Sequence, residues 1–321
     1  MSKATMTLNS SNKKSKENSK LSICIKKISK NKELLIMLIP SILFYIFFVY
    51  KPMFGLQIAF KDFSIFKGIS ASKWVGFKHF STFINSPFFF KTVKNTLLIN
   101  VYGLLIGFPI PIILALLLNE VRNLKFKKTV QTLTYLPHFV SIVVIAGIVV
   151  NFLSPSSGLV NLIIEKFGGE KIYFLTKPEY FRSIFISMNI WKEAGFSAIV
   201  YIAALSGIDP QLYEAAYVDG AGKLKRILNV TIPGLMPTII ILLILKIGKM
   251  LTVGFESIIL LYQPVTYETA DVISTYVYRM GLENSQFDYA TAVGLFNSVI
   301  SLLLVIFANK ISRKLSDTSL W

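Results

Sequence analysis

The sequence predicts an all-α integral membrane protein with six transmembrane helices, and three observations lead there. Hydrophobic residues make up 53% of the 321, the mean hydropathy is +0.59, and only 16% of residues are charged. A soluble domain carries about a quarter charged residues, so this balance belongs to a chain solvated by lipid. Apolar runs of about 20 residues also recur along the chain, each long enough to cross ~30 Å of hydrocarbon as a helix.

Residues 1–33 read as a polar, lysine-rich tail that is expected to be disordered, because it has too little apolar surface to fold. The first span is expected over 34–53, interrupted by Pro40. No small-residue cleavage site follows it, so it reads as an uncleaved anchor. Residues 54–91 mix aromatics with lysines and are too polar to cross, which predicts short elements on the membrane surface. The second span is expected over 96–118, with Pro109 and Pro111, and the third over 130–153, with Pro137 near its start. The fourth, 183–205, is the least apolar and carries Trp191, Lys192 and Glu193 near its middle. The fifth, 237–262, carries Lys246, Lys249 and Glu256, and the sixth covers 290–309. Prolines inside spans are tolerated because neighbouring helices and polar side chains satisfy the freed carbonyls.

Lysine and arginine set the orientation. With the N-terminus in the cytoplasm, the inside segments 1–33, 119–129, 207–235 and 310–321 hold nineteen basic residues, against eleven in 51–91, 154–182 and 263–289. The short loop with Arg122, Lys125, Lys127 and Lys128 is the cleanest witness, since long loops weigh little in this rule. Both termini are therefore expected inside. The net charge of +17 serves this orientation and does not point to nucleic acid, because no basic face on a soluble module accompanies it. The single cysteine, Cys24, excludes disulfides within the chain, and His79 and His138 stand apart from any Cys or carboxylate cluster in the sequence, so no metal is expected.

The loop 207–235 between spans four and five is the most informative stretch. Asp209 followed by Pro210 is a helix start, an N-cap with proline at the first position. Leu212, Ala215, Ala216 and Val218 give a short helix with an apolar, small-residue face, and Gly220 and Gly222 are expected to end it. A second short basic helix is expected before Pro233, making a two-helix elbow on the cytoplasmic side.

The spaced pattern Glu214-Ala215-Ala216, Gly220, then Val230, Ile232 and Pro233 resembles the signature of permease subunits of bacterial ABC importers. Further strings resemble the sugar-importer branch: Asn95-Thr96-Leu97-Leu98, Trp191-Lys192 with Gly195-Phe196, and the run from Tyr201 to Leu205. The stretch Ala270 to Arg279 and the terminal Ser319-Leu320-Trp321 resemble its polysaccharide/lipo-oligosaccharide permease subgroup. The resemblance covers nearly everything after the tail.

What it implies is a type I ABC importer permease whose loop is a coupling helix docking into a separate ATPase. Glu214 would be the charged contact, Ala215 and Ala216 would permit close approach, and Asp219, Gly220 and Pro233 would shape the turn. The implied partners are a second permease subunit, a cytoplasmic ATPase dimer and an extracellular sugar-binding protein, with residues 51–91 and 263–289 as candidate contacts for the last. Membrane lipid surrounds the chain, and no cofactor is implied.

Charges inside the spans need a physical reason, since a lysine at a helix centre costs ~2.5–3.5 kcal/mol on insertion scales. Lys246, Lys249, Val253 and Glu256 are spaced three, four and three apart, which would place them on one face of a single fifth helix. Together with Lys192 and Glu193 they are candidates for the substrate pathway, with a Lys–Glu pair bridging helices four and five. A pairing that only fixes helix packing is the alternative.

No GxxxxGK[ST] phosphate loop is present, because Gly220-Ala221-Gly222-Lys223-Leu224 lacks both the loop length and the hydroxyl residue. ATP binding must then come from another chain. No nucleophilic or metal-ligating set is recognisable, so catalysis by this chain is not expected. The competing class is an ion-coupled secondary transporter using the intramembrane charges, which would show internal repeats around a midplane site. A membrane-bound enzyme acting on lipid-linked sugars would want a cluster of carboxylates or histidines at the membrane surface.

Overall fold

The computed structural model describes residues 32–248 and 254–315. Most of the basic tail, the last six residues, Lys249 and Val253 lie outside the described residues. The chain divides into two units, 1–57 and 58–321. In the first, helix α1 (Lys32–Phe44) continues through a π turn over Tyr45–Tyr50, and every side chain described along it is exposed. Such an all-round apolar surface is what a lipid-facing helix presents.

The second unit opens with the short elements expected for the aromatic-lysine stretch. Strands β1 (Lys61–Asp62) and β2 (Lys73–Trp74) pair antiparallel, Lys61 opposite Trp74. Helix α2 (Lys78–Ile84) follows, and His79 Nε2 lies 3.0 Å from the Lys61 carbonyl. Residues 87–91, expected in this surface stretch, instead begin the next helix, because Pro87 sits at a helix first position and pre-sets its φ.

Helices α3 (Pro87–Leu105) and α4 (Pro109–Glu120) form the second span, a path of 34 residues in which the N–H groups of 106–108 still bond the carbonyls four residues back. Helices α5 (Leu124–Phe139) and α6 (Ile142–Phe152) correspond to the third, but they meet at a bend of 104° and so do not form the single helix expected there. Val140 and Ser141 are extended, and Ser141 caps α6 by accepting from the Val144 N–H at 3.4 Å. Helix α7 (Pro178–Leu205) is the fourth, with 28 residues. It is long enough to cross, and its polar residues alone separate it from the helices that are also apolar enough.

Helix α8 (Pro210–Val218) projects before the fifth span. Helix α9 (Lys223–Arg226) runs through a π turn, Ile227–Thr231, straight into α10 (Ile232–Gly248). The short basic helix expected before Pro233 is thus the entry of the fifth span itself. Pro233 lacks an N–H and crowds the carbonyl four residues back, which accounts for the widened turn before it. The fifth span also ends earlier than expected. Gly254 starts a new helix, α11 (Phe255–Ile259), so no single helix carries both Lys246 and Glu256. Helices α12 (Ile273–Tyr278) and α13 (Phe287–Leu315) complete the chain, the latter holding the sixth span.

The core is built around α7. Ala115 of α4, Ala198, Tyr201 and Leu205 of α7 and Leu235 of α10 form one buried cluster. Ile99 of α3, Ile145 and Ala146 of α6, and Phe181 to Met188 of α7 form a second with Ile258, Leu261, Ala270 and Val272. Gly195 is required where α5 and α7 touch, because a Cβ there would collide with the Thr134 carbonyl oxygen.

Candidate functional site: the elbow and the membrane cavity

The elbow 207–235 follows directly from its sequence. Asp209 caps α8, its carboxylate accepting from the Gln211 N–H at 2.9 Å, and Pro210 takes the first helical position. At the other end Gly220 has φ +72, the left-handed region. Its N–H bonds the Tyr217 carbonyl at 3.0 Å, and the Ala221 N–H bonds that of Ala216 at 2.9 Å. This pair of bonds is a Schellman stop, which needs glycine for its φ. Gly222 does not share that role, since it is extended and leads into α9.

The elbow is fixed to the bundle at two points. Tyr213 donates from its hydroxyl to Thr231 Oγ1 at 3.2 Å. Ile208 packs on Gly234, where a Cβ would approach Ile208 Cδ1 to 2.7 Å. Glu214 and Ala215 are exposed, Ala216 is half-buried, and Asp219 and Gly220 are exposed at the turn. Glu214 has no hydrogen-bond or ion-pair partner among the described residues. Beside it Tyr217 is 72% and Val218 84% exposed, with the Arg226 guanidinium 5.9 Å from the Tyr217 ring centre, a mixed apolar and charged tip. Pro233 lies in the first turn of α10 and shapes the route into the span.

A cavity of about 500 Å³ opens among α3, α4, α7 and α10, the size range of small-molecule sites. Gly103 of α3 and the turn at Gly107 and Phe108 form one wall, and Leu242, Lys246 and Ile247 of α10 form another.

Glu193 and Lys246 both line this cavity. They do not pair with each other. Glu193 accepts from Lys192 Nζ at 2.8 Å and lies 2.9 Å from His138 Nδ1, one oxygen to each. His138, isolated in the sequence, thus meets a carboxylate across the α5–α7 contact and stacks on Phe196 with ring centroids 3.8 Å apart. Lys192 Nζ also reaches the His138 carbonyl at 3.4 Å. The expected Lys–Glu bridge between helices four and five is replaced by a pair within α7, because adjacent long side chains can curl to one another at a helix surface. Lys246 instead lies 5.6 Å over the Phe108 ring, in the last turn of α10. Glu256 is exposed in the first turn of α11, and Lys249 lies outside the described residues. The one-faced stripe of four residues is not formed.

Sequence reasoning missed a buried polar network remote from the cavity's charges. Asn95 Nδ2 donates to the carbonyls of Glu268 at 2.9 Å and Asp271 at 3.0 Å, while its Oδ1 accepts from Arg182 at 2.8 Å. The Ile273 N–H bonds Thr96 Oγ1 at 3.0 Å. Asp271, fully buried, takes both guanidinium nitrogens of Arg279. The strings Asn95-Thr96 and Ala270 to Arg279 therefore lock together, though no local pattern in either announces the other.

Residues 107–317 match the family described as binding-protein-dependent transport system inner membrane component. The chain is 46% identical over 295 residues to the polygalacturonan/rhamnogalacturonan transport system permease protein YteP of Bacillus subtilis (strain 168), covering 92% of each chain. It is 42% identical to protein LplB of the same organism, again over 92% of each. Among solved structures it is similar to a chain of a bacterial ABC transporter involved in the import of the acidic polysaccharide alginate. The TM-score is 0.85 and the identity 52%, over 91% of this chain and 98% of that one. A structure of the alginate transporter in complex with an alginate pentasaccharide-bound periplasmic protein matches with the same TM-score and identity, over 92% and 99%. The chain belongs to the binding-protein-dependent transport system inner membrane components, as a multi-pass membrane permease of the sugar and polysaccharide ABC importers.

Proposed function

We propose that this permease drives alternating access by coupling through the elbow 209–233 to a separate ATPase dimer. The observation that carries the reading is the exposed tip of α8, where Glu214 has no partner among the described residues and Tyr217 and Val218 are exposed. An apolar and charged tip of this kind, on a rigid stop at Gly220, is a ready docking surface. Glu214 makes the charged contact, Ala215 and Ala216 allow close approach, and Asp219, Gly220 and Pro233 hold the elbow's shape. The chain itself performs no catalysis. It works beside a second permease subunit, with an extracellular sugar-binding protein above and lipid around the spans. Both termini lie in the cytoplasm, the basic residues 1–33 and 310–321 flanking the membrane domain 34–309.

The substrate pathway runs along the cavity beside Lys192, Glu193 and Lys246. Lys249 and Glu256 are carried as further candidates on their charge and position alone. The relatives named for polygalacturonan and alginate handle acidic polymers, so an acidic oligosaccharide is the substrate class we assign.

Co-purification from mild detergent tests the coupling. Wild type is expected to retain an ATPase with ATP turnover, while Glu214→Arg and Gly220→Asp lose it and remain folded. Uptake that follows an ion gradient, with no ATPase bound, would instead make the chain a secondary transporter.

A further inference from the structure

We infer that Lys246 is the residue that reads a substrate carboxylate in the membrane cavity. The inference rests on the acidic-oligosaccharide reading above and names the side chain through which that class is selected.

Counting Lys192 behind the wall, the charges at the cavity do not balance among the described residues. Glu193 is the one carboxylate among the lining residues, and both of its oxygens are already engaged, by Lys192 at 2.8 Å and by His138 at 2.9 Å. Lys246 has no Asp or Glu within 4.0 Å among the described residues, and residues 249–253, which follow α10, contain no acid. Counting Lys192, Glu193 and Lys246 leaves one spare positive charge at the cavity. The Phe108 face favours a cation there, and no carboxylate or hydrogen-bond acceptor among the described residues takes up the ammonium's protons.

The neighbouring polar groups suit a sugar. Asn100 and Asn189 each donate their amide NH2 at 2.7 Å to the carbonyl of the residue four positions earlier in the same helix. Their side-chain oxygens, which accept no hydrogen bond among the described residues, are left to receive sugar hydroxyls. A lysine that supplies charge beside such acceptors distinguishes a uronate from a neutral hexose. Charge-assisted bonds of this kind are about twice as strong as neutral ones.

The test uses the full complex, with the second permease and the ATPases, in nanodiscs. Trigalacturonate is the probe, its binding measured by calorimetry without the sugar-binding protein, and its uptake measured in proteoliposomes with that protein present. Lys246→Met is expected to weaken trigalacturonate binding about ten- to hundredfold and to slow uptake in step, the loss of one charged hydrogen-bonding partner. Lys246→Arg, which keeps the charge, is expected to stay within about threefold of wild type. Unchanged binding by Lys246→Met, or the same loss in Lys246→Arg as in Lys246→Met, overturns the assignment while leaving the acidic-substrate reading intact. Loss of the second permease from the Lys246→Met complex also overturns it, since the lysine then serves the subunit contact. A wild-type complex that binds and imports maltotriose but not trigalacturonate removes the acidic-substrate reading and this inference together.

Discussion

Arg279 grips Asp271 with both terminal nitrogens, at 2.6 Å and 3.1 Å, and the carboxylate is entirely shielded from solvent. Thr275 Oγ1 adds a third bond to the carboxylate at 2.9 Å, and the guanidinium lies 4.8 Å from the centre of the Tyr267 ring. A bidentate pair with its remaining lone pairs satisfied is the geometry in which a buried ion pair repays desolvation. Through the Asp271 carbonyl the same residue binds Asn95 of α3, so the pair holds the segment between spans five and six against span two.

Removing one partner should therefore be far worse than removing both. Arg279→Met is expected to cost about 3–5 kcal/mol, because Asp271 stays buried with only Lys91 Nζ, at 4.0 Å, as a counter-charge. Asp271→Leu together with Arg279→Met should recover part of that. Thermal unfolding of the detergent-purified chain, compared across the two variants, checks the order.

The pair's contribution should not vary with pH in the working range. Burial alone would lower the Arg279 pKa, but the hydrogen bonds to Asp271 and its charge overcome that and raise it above the ordinary guanidinium value. A raised folded-state pKa gives stability that is full below the unfolded value and lost only as pH rises through the folded one. Between about pH 7 and about pH 10 the stability lost in Arg279→Met should thus be constant, which unfolding midpoints at several pH values would show.

Two glycines should fail for different reasons. Gly220→Ala meets open space but must hold φ +72, a cost of about 1–2 kcal/mol, so the chain folds with a loosened elbow. Gly195→Ala drives a methyl into the Thr134 carbonyl and should separate α5 from α7, depleting folded protein in the membrane fraction. Fluorescence-detected size exclusion should show a sharp peak for the first and aggregate for the second.

Asn95→Leu keeps volume but strands the Glu268 and Asp271 carbonyls and Arg182. Each buried group left unsatisfied costs about 1–3 kcal/mol, so a larger loss than for Thr92→Val is expected in the same unfolding assay. Thr92 bonds only within its own helix, to the Phe88 and Phe89 carbonyls at 2.9 Å and 3.2 Å.

Local chemistry made much of the elbow 207–235 legible. Asp209-Pro210 and Gly220 act through caps and backbone φ within a few residues, so their roles can be read without the rest of the chain. Spacing was a poorer guide past position 248. The run of apolar residues continues through 262 without a strong breaker, and only the start of a second helix at Gly254 separates Lys246 from Glu256. His138 shows the same limit, since its carboxylate partner lies 55 positions away.

The sequence by itself determined that this is a helical membrane protein and where most of its spans lie. Those properties depend on hydropathy and short-range backbone preference. The tertiary structure alone decided that Glu193 is spoken for by Lys192 and His138, that Lys246 stands beside a cavity without a carboxylate partner among the described residues, and that Asn95 is bonded to Asp271 across 176 positions. Pairing of charges depends on which helices meet and at what rotation, and no periodicity within one helix encodes the side chains of another.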